Sequence, residues 1–246
     1  AETYGDGNSE LFIGSGLKGK RDGVFLATKF GMSTSHVAGK NRGTAENIRV
    51  AVEQSLAKLQ TDWIDLYQLH RPDPETPVEE TMGALEDLVA EGKIRYYGCS
   101  YFSGAQMQQA ADGAQRAGLR GFVTAQNAWN VLEREIEADL IPVCEACEIG
   151  VLPYYPIAKG LLTGKYRRSD TAPAGSRLSG DQYLADANFD LLERLQGYAR
   201  EHGHELLTPA MSWLAAQPSI ASIISGASRP EQVAVNAAAV RWNLTS

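Results

Sequence analysis

The rhythm of the chain constrains its fold more than any single motif. Short apolar runs alternate with longer segments of helical period. The runs cover residues 24–28, 63–69, 94–99, 122–125, 151–155 and 221–225. Most are near-continuous rather than alternating, the pattern of parallel strands covered on both faces. Between them, Ile48, Val52, Leu56 and Leu59 share one helical face, and so do Val78, Met82, Leu85 and Leu88. Thr76-Pro77-Val78-Glu79 and Ser103-Gly104-Ala105-Gln106 read as capping boxes, with Thr208-Pro209 and Arg229-Pro230 as two more helix starts. A helix over residues 8–17 precedes the first run. Up to Val151 successive runs begin 28 to 39 residues apart, one strand–helix unit each; the gap to Ala221 holds a long loop as well as helix. Such alternation predicts an α/β parallel sheet. Six units are visible where a closed (β/α)8 (TIM) barrel needs eight in about 250 residues. The expected fold is therefore a single barrel domain over residues 1–246, lacking its first two strands. An open doubly wound sheet is the competing arrangement.

Composition narrows the function class. The 23 basic and 30 acidic residues give a net charge of −7, and nucleic-acid binders normally carry a basic surplus. No apolar run reaches the 18 residues that a membrane span needs. Three cysteines, an odd count, point to a reducing compartment, the cytoplasm. No pattern in the sequence sets an oligomeric state.

Barrels carry their active sites at the C-terminal ends of the strands. Here every such end is polar: Lys29, His70-Arg71, Gly98-Cys99-Ser100, Gln126-Asn127, Tyr154-Tyr155 and Gly226-Ala227-Ser228-Arg229. The last two loops suggest a phosphate ligand. One carries Lys159-Gly160-Leu161-Leu162-Thr163-Gly164-Lys165. The other brings Gly226, Ser228 and Arg229 to a helix start, where backbone N–H groups and the helix dipole favour anions. Gln232 and Asn236, four apart on that helix, share a face that would reach the base of a nucleotide or simply meet solvent. Gly14-Ser15-Gly16-Leu17-Lys18-Gly19 matches a dinucleotide fingerprint but closes a helix instead of opening one, so it reads as a helix end. Cys144-Glu145-Ala146-Cys147 has no second ligand pair to complete a metal site and reads as buried helical thiols. His36, His202 and His204 read as surface residues.

Taken together, these segments resemble the aldo-keto reductase family. The matching stretches are Ala1-Glu2-Thr3-Tyr4-Gly5-Asp6-Gly7, Ala27-Thr28-Lys29-Phe30-Gly31, Asp65-Leu66-Tyr67-Gln68-Leu69-His70-Arg71-Pro72-Asp73, Gly98-Cys99-Ser100-Tyr101-Phe102, Gln126-Asn127-Ala128-Trp129-Asn130, Gly160-Leu161-Leu162-Thr163-Gly164-Lys165-Tyr166 and Gly226-Ala227-Ser228-Arg229-Pro230-Glu231-Gln232. They run in family order along nearly the whole chain. The resemblance implies a (β/α)8 barrel that binds extended NADP(H) and reduces a small carbonyl substrate. It implies Tyr4, Lys29 and His70 as catalytic residues. A fourth, an Asp, is expected five positions before Tyr4, ahead of Ala1, and relatives continue past Ser246, so the chain is expected to be a fragment. Ser100, Gln126 and Asn127 are implied at the nicotinamide carboxamide, with Tyr101 where the family usually has Asn. Tyr154 is implied as the ring stacking on nicotinamide, with Tyr155 in place of the usual Ser. Leu161, Gly164 and Lys165 match the pyrophosphate belt, and Gly226, Ser228, Arg229, Gln232 and Asn236 the adenosine end.

The chemistry fits these groups. A Tyr hydroxyl has a pKa near 10, too high for efficient acid–base work at neutral pH, and an adjacent ammonium favours its phenolate. His70 would orient the carbonyl by a hydrogen bond. Tyr101 and Trp129 are candidate substrate walls, with ordinary packing the alternative for each. The leading expectation is an NADPH-dependent carbonyl reductase with Tyr4 as general acid. A nucleotide-binding regulatory subunit of the same fold and a catalytically inactive fragment are the alternatives. Substrate choice is expected in the variable loops at residues 31–42 and 166–187.

Overall fold

A computed structural model describes residues 1–32, 36–168, 178, 184 and 187–244. One sheet runs in the order β1 (Ala27–Phe30), β2 (Ile64–Leu69), β3 (Ile94–Ser100), β4 (Thr124–Gln126), β5 (Gly150–Val151). The pairings β1–β2, β2–β3 and β3–β4 are parallel. Helix α1 (Asn8–Gly16) precedes β1, and α2 (Ala45–Leu59), α3 (Val78–Ala90), α4 (Gly104–Ala117) and α5 (Leu140–Ala146) follow the first four strands in turn. Then come α6 (Phe189–Glu201), α7 (Leu207–Ala215) and α8 (Pro230–Ala239). A parallel sheet with a helix after each strand is the α/β architecture of a (β/α)8 barrel. The chain divides into two compact units: Ala1–Gln126 with Ala138–Gly150, and Asn127–Glu137 with Val151–Ser246.

In the first unit, β2 is buried at every position, as a strand with neighbours on both edges and helices on its faces should be. Ile48, Val52 and Leu59 of α2 and Met82, Leu85 and Leu88 of α3 are buried with Phe30, Ile64, Leu69 and Ile94 of the strands. Full burial of each such side chain stabilises the fold by about 1.5–3 kcal/mol. Gly98 lets β3 approach β4: a Cβ there would lie 2.8 Å from the Thr124 carbonyl oxygen. Gly14 does the same for α1, since a Cβ would meet the Leu59 backbone at 2.7 Å. The glycine-rich stretch thus ends a helix and packs it. In the second unit Leu161, Leu162, Tyr166, Leu192, Leu206 and Ala210 form the core, and Ser212 Oγ donates to the Ala239 carbonyl to tie α7 to α8.

Several sequence expectations shift. The first strand begins at Ala27, three residues late, because Val24 and Phe25 are exposed beyond a tight turn at Arg21–Gly23. The fifth strand is Gly150–Val151, not 151–155, and residues 221–225 form no regular strand. One residue explains both. Val151 N–H donates to Ser219 O and Ala221 N–H to Val151 O, but the next donor in that parallel ladder is Pro153, which has none. The ladder breaks there, leaving a single Ile224 N–H to Pro153 O bond. The Ser103 capping box forms in full. The Thr76 box does not: Thr76 Oγ1 donates to Asp73 instead, and α3 starts after Pro77 with no side-chain cap. Cys144 is buried in α5, whereas Cys147 follows that helix and is partly exposed. Residues 33–35 of the first variable loop and most of 166–187 lie outside the described residues.

Candidate active site

Tyr4 lies on a turn whose Gly5, Asp6 and Gly7 all adopt left-handed backbone, which the two glycines permit at little cost. The ring is 48% exposed. Lys29, one residue before the end of β1, is 9% exposed, with Nζ 5.3 Å from the centroid of the Tyr4 ring. Burial pulls its pKa down to about 8, and it makes no salt bridge among the described residues. His70, immediately after β2, is 3% exposed and meets the Tyr4 ring edge-on at 5.7 Å. Burial, then the charges of Lys29 and Arg71, lower its pKa to about 4, so its imidazole is neutral at pH 7. Its Nδ1 is buried with no hydrogen-bond partner among the described residues. β1 and β2 are paired neighbours in register Lys29↔Gln68 and Phe30↔Leu69, which is why residues 41 apart in sequence meet around the same ring.

The Tyr4 turn is fastened to β1 by a residue that the sequence reading passed over. Glu2 N–H donates to Lys29 O, and Glu2 Oε1 accepts from Gly31 N–H at 2.8 Å and Met32 N–H at 3.3 Å. Its other oxygen lies 2.8 Å from His36 Nε2, so His36 is half-buried and paired, not a free surface residue. The available signal was an acid two positions before Tyr4.

At the ends of β3 and β4 in the same unit, Ser100 Oγ donates to the Gln126 carbonyl at 2.7 Å, and Gln126 Nε2 is buried without a partner among the described residues. Tyr101 follows β3 in left-handed backbone (φ 62°), its N–H held by Gln126 O. Its ring lies 6.4 Å from that of His70, and the Arg71 guanidinium stacks on it at 4.2 Å.

The second unit carries the remaining candidates. Asn127 O accepts from Tyr154 N–H, and the Tyr154 and Tyr155 rings meet edge-on at 4.9 Å. Trp129 is buried, donates its indole N–H to Glu137 at 3.0 Å and packs edge-on against Trp213. Tyr155, Ala158, Lys159, Gly160 and Gly164 all have positive φ, unfavourable for the three non-glycine residues, around Leu161 and Lys165. Lys165 packs its stem against Gly160. In the turn before α8, Gln232 Oε1 accepts from both the N–H and the hydroxyl of Ser228, and Asn236 Nδ2 donates to Ser225 Oγ at 2.9 Å. Gln232 and Asn236 do share a face, and it turns back onto the loop. Gly226 and Arg229 are exposed, with Pro230 opening the helix as the sequence predicts.

The Aldo/keto reductase family model matches residues 1–246. The chain belongs to the aldo/keto reductase family. Its similarity to individual aldo/keto reductases spans most of each partner. It is 34% identical over 253 residues to aldo-keto reductase YhdN of Bacillus subtilis (strain 168), covering 100% of this chain and 75% of that one. It is 32% identical over 251 residues to probable aldo-keto reductase 1 of Glycine max, covering 100% and 70%. It is also 31% identical over 257 residues to a probable voltage-gated potassium channel subunit beta of Oryza sativa subsp. japonica, covering 96% and 75%. Membership implies oxidoreductase activity on small carbonyl compounds with NAD(P)H as the family's cofactor. No helix among the described residues is long and apolar enough to cross a membrane.

Proposed function

We propose that this protein reduces an aldehyde or ketone with NADPH, Tyr4 acting as the general acid. The observation that carries the reading is Lys29. A buried ammonium without a salt bridge among the described residues costs stability, and such groups concentrate where chemistry needs them. Tyr4 would give its hydroxyl proton to the substrate oxygen, and the Lys29 charge would stabilise the phenolate left behind. His70, neutral at pH 7, would donate one N–H to the carbonyl and hold it in place, leaving proton transfer to Tyr4. Bound NADPH would supply the hydride.

The residues fit that cofactor. The buried Gln126 amide lacks a partner among the described residues, and a carboxamide would provide one. Ser100 and Asn127 would assist, and Tyr154 would stack on the nicotinamide. Leu161 and Gly164, through their backbone, and Lys165 would hold the pyrophosphate. Gly226, Ser228, Arg229, Gln232 and Asn236 would hold the adenosine end, where the exposed Arg229 at a helix start suits the 2′-phosphate that distinguishes NADP from NAD. Tyr101 is the proposed substrate-facing ring; Trp129, buried against Trp213, packs in the core of its own unit, the alternative that the sequence left open. We take residues 1–246 as one functional domain, and three free thiols support a reducing, cytoplasmic setting.

The test is loss of NADPH absorbance with a panel of aldehydes and ketones, using the chain and its Tyr4→Phe variant. Removing the proton donor lowers kcat by about 10²–10⁴-fold and leaves NADPH affinity unchanged. The similarity to a named potassium channel subunit favours a second reading, a nucleotide-binding regulatory role. Tight NADPH binding with no turnover of any carbonyl would support it over the first.

A further inference from the structure

Arg71 is a charged side chain beside the Tyr4–Lys29–His70 cluster that the proposed reaction does not use. It follows His70 directly and is half-buried, and its guanidinium stacks 4.2 Å above the Tyr101 ring. That ring in turn lies 6.4 Å from the His70 imidazole. Arginine carries five N–H donors, and half-buried guanidinium groups normally meet a carboxylate. Arg71 makes no salt bridge or hydrogen bond among the described residues. Asp73, two positions on, and Glu2, on the Tyr4 turn, are engaged elsewhere. Asp73 accepts from Gly43 N–H, Glu75 N–H and Thr76 Oγ1. Glu2 accepts from Gly31 N–H and Met32 N–H and pairs with His36.

Stacking fixes the guanidinium plane without using its donors, so the fork is held ready for an anion from outside the chain. Lys29 adds a second positive charge without a salt bridge in the same cluster. Tyr101, half-exposed between Arg71 and His70, offers an apolar spacer. We propose that Arg71 is an anion-recognition residue that selects carbonyl substrates carrying a carboxylate. This rests on the carbonyl-reductase reading.

Two aldehydes test it: 4-carboxybenzaldehyde and its neutral methyl ester, reduced by the full chain and by Arg71→Met and Arg71→Lys. The expected wild type prefers the carboxylate by about tenfold or more in kcat/KM, the scale of a charge-assisted hydrogen bond. Arg71→Met should abolish the preference while keeping the rate on the ester, and Arg71→Lys should keep part of it. A purely structural role for Arg71 would lower both rates together. An unchanged preference in Arg71→Met overturns the proposal, as does an equal loss of NADPH affinity, which would make Arg71 a cofactor contact. Binding separates this result from failure of the reductase reading itself. By calorimetry, 4-(hydroxymethyl)benzoate should bind the wild type more tightly than Arg71→Met even without turnover. Equal binding, or none to either, counts against an anion site.

Discussion

Lys29 and His70 sit at the ends of two paired, buried strands, whereas Ser228 and Arg229 sit on an exposed turn before α8. In the first region the backbone ladder sets side-chain positions, and burial moves both pKa values, to about 8 and about 4. In the second, the polar groups satisfy one another: Gln232 occupies the Ser228 donors, and Asn236 holds Ser225. Buried groups beside a proton donor suit proton transfer, because their electrostatics are set before substrate arrives. A solvated turn suits binding of a charged ligand, with weak internal bonds exchanged for stronger ones to that ligand. The two regions should therefore fail in different ways.

The sharpest contrast sets kcat against affinity. Lys29→Met should lower kcat by about 10²–10³-fold, as loss of one preorganised electrostatic group does, with NADPH affinity nearly unchanged by fluorescence titration. The same cluster should show a pH signature. Lys29 loses its charge above pH about 8, so the rate of reduction should fall there, and Lys29→Arg should remove that limb from the profile. Arg229→Ala should do the reverse of Lys29→Met. NADPH binding weakens by about 1–3 kcal/mol, the range for a hydrogen bond to a charged group, while NADH binding and kcat hold. Equal losses for the two cofactors would make Arg229 structural and blur the comparison. The last contrast concerns the fastening of the buried region. Glu2→Ala strands the Gly31 and Met32 N–H groups and should cost about 1–3 kcal/mol in stability by urea titration. It should also lower kcat, and Glu2→Gln should restore part of both by accepting the same N–H bonds. A stability loss with unchanged kcat would show that the Tyr4 turn holds its place without Glu2.

Legibility varied with what each segment depends on. β2 and β3 were readable within one residue, because central strands are apolar along most of their length and that is a local property. Val24 and Phe25 look the same in sequence but are exposed, since partner register, not hydrophobicity, decides where a strand begins. The Ser103 capping box formed and the Thr76 box did not. Asp73 competed for the Thr76 hydroxyl, and Pro77 took the cap position.

The sequence by itself determined the α/β class, the helix faces, the family and the identity of the polar strand ends. These follow from periodicity and from residue types at set spacings, which survive without coordinates. Only the tertiary structure decided that Tyr4, Lys29 and His70 share one ring-sized neighbourhood, that Glu2 and His36 hold it in place, and that Arg71 stands beside it with no salt bridge among the described residues. Burial, pKa shifts and spare donors depend on what every neighbour is already bonded to, and those neighbours lie tens of residues apart along the chain.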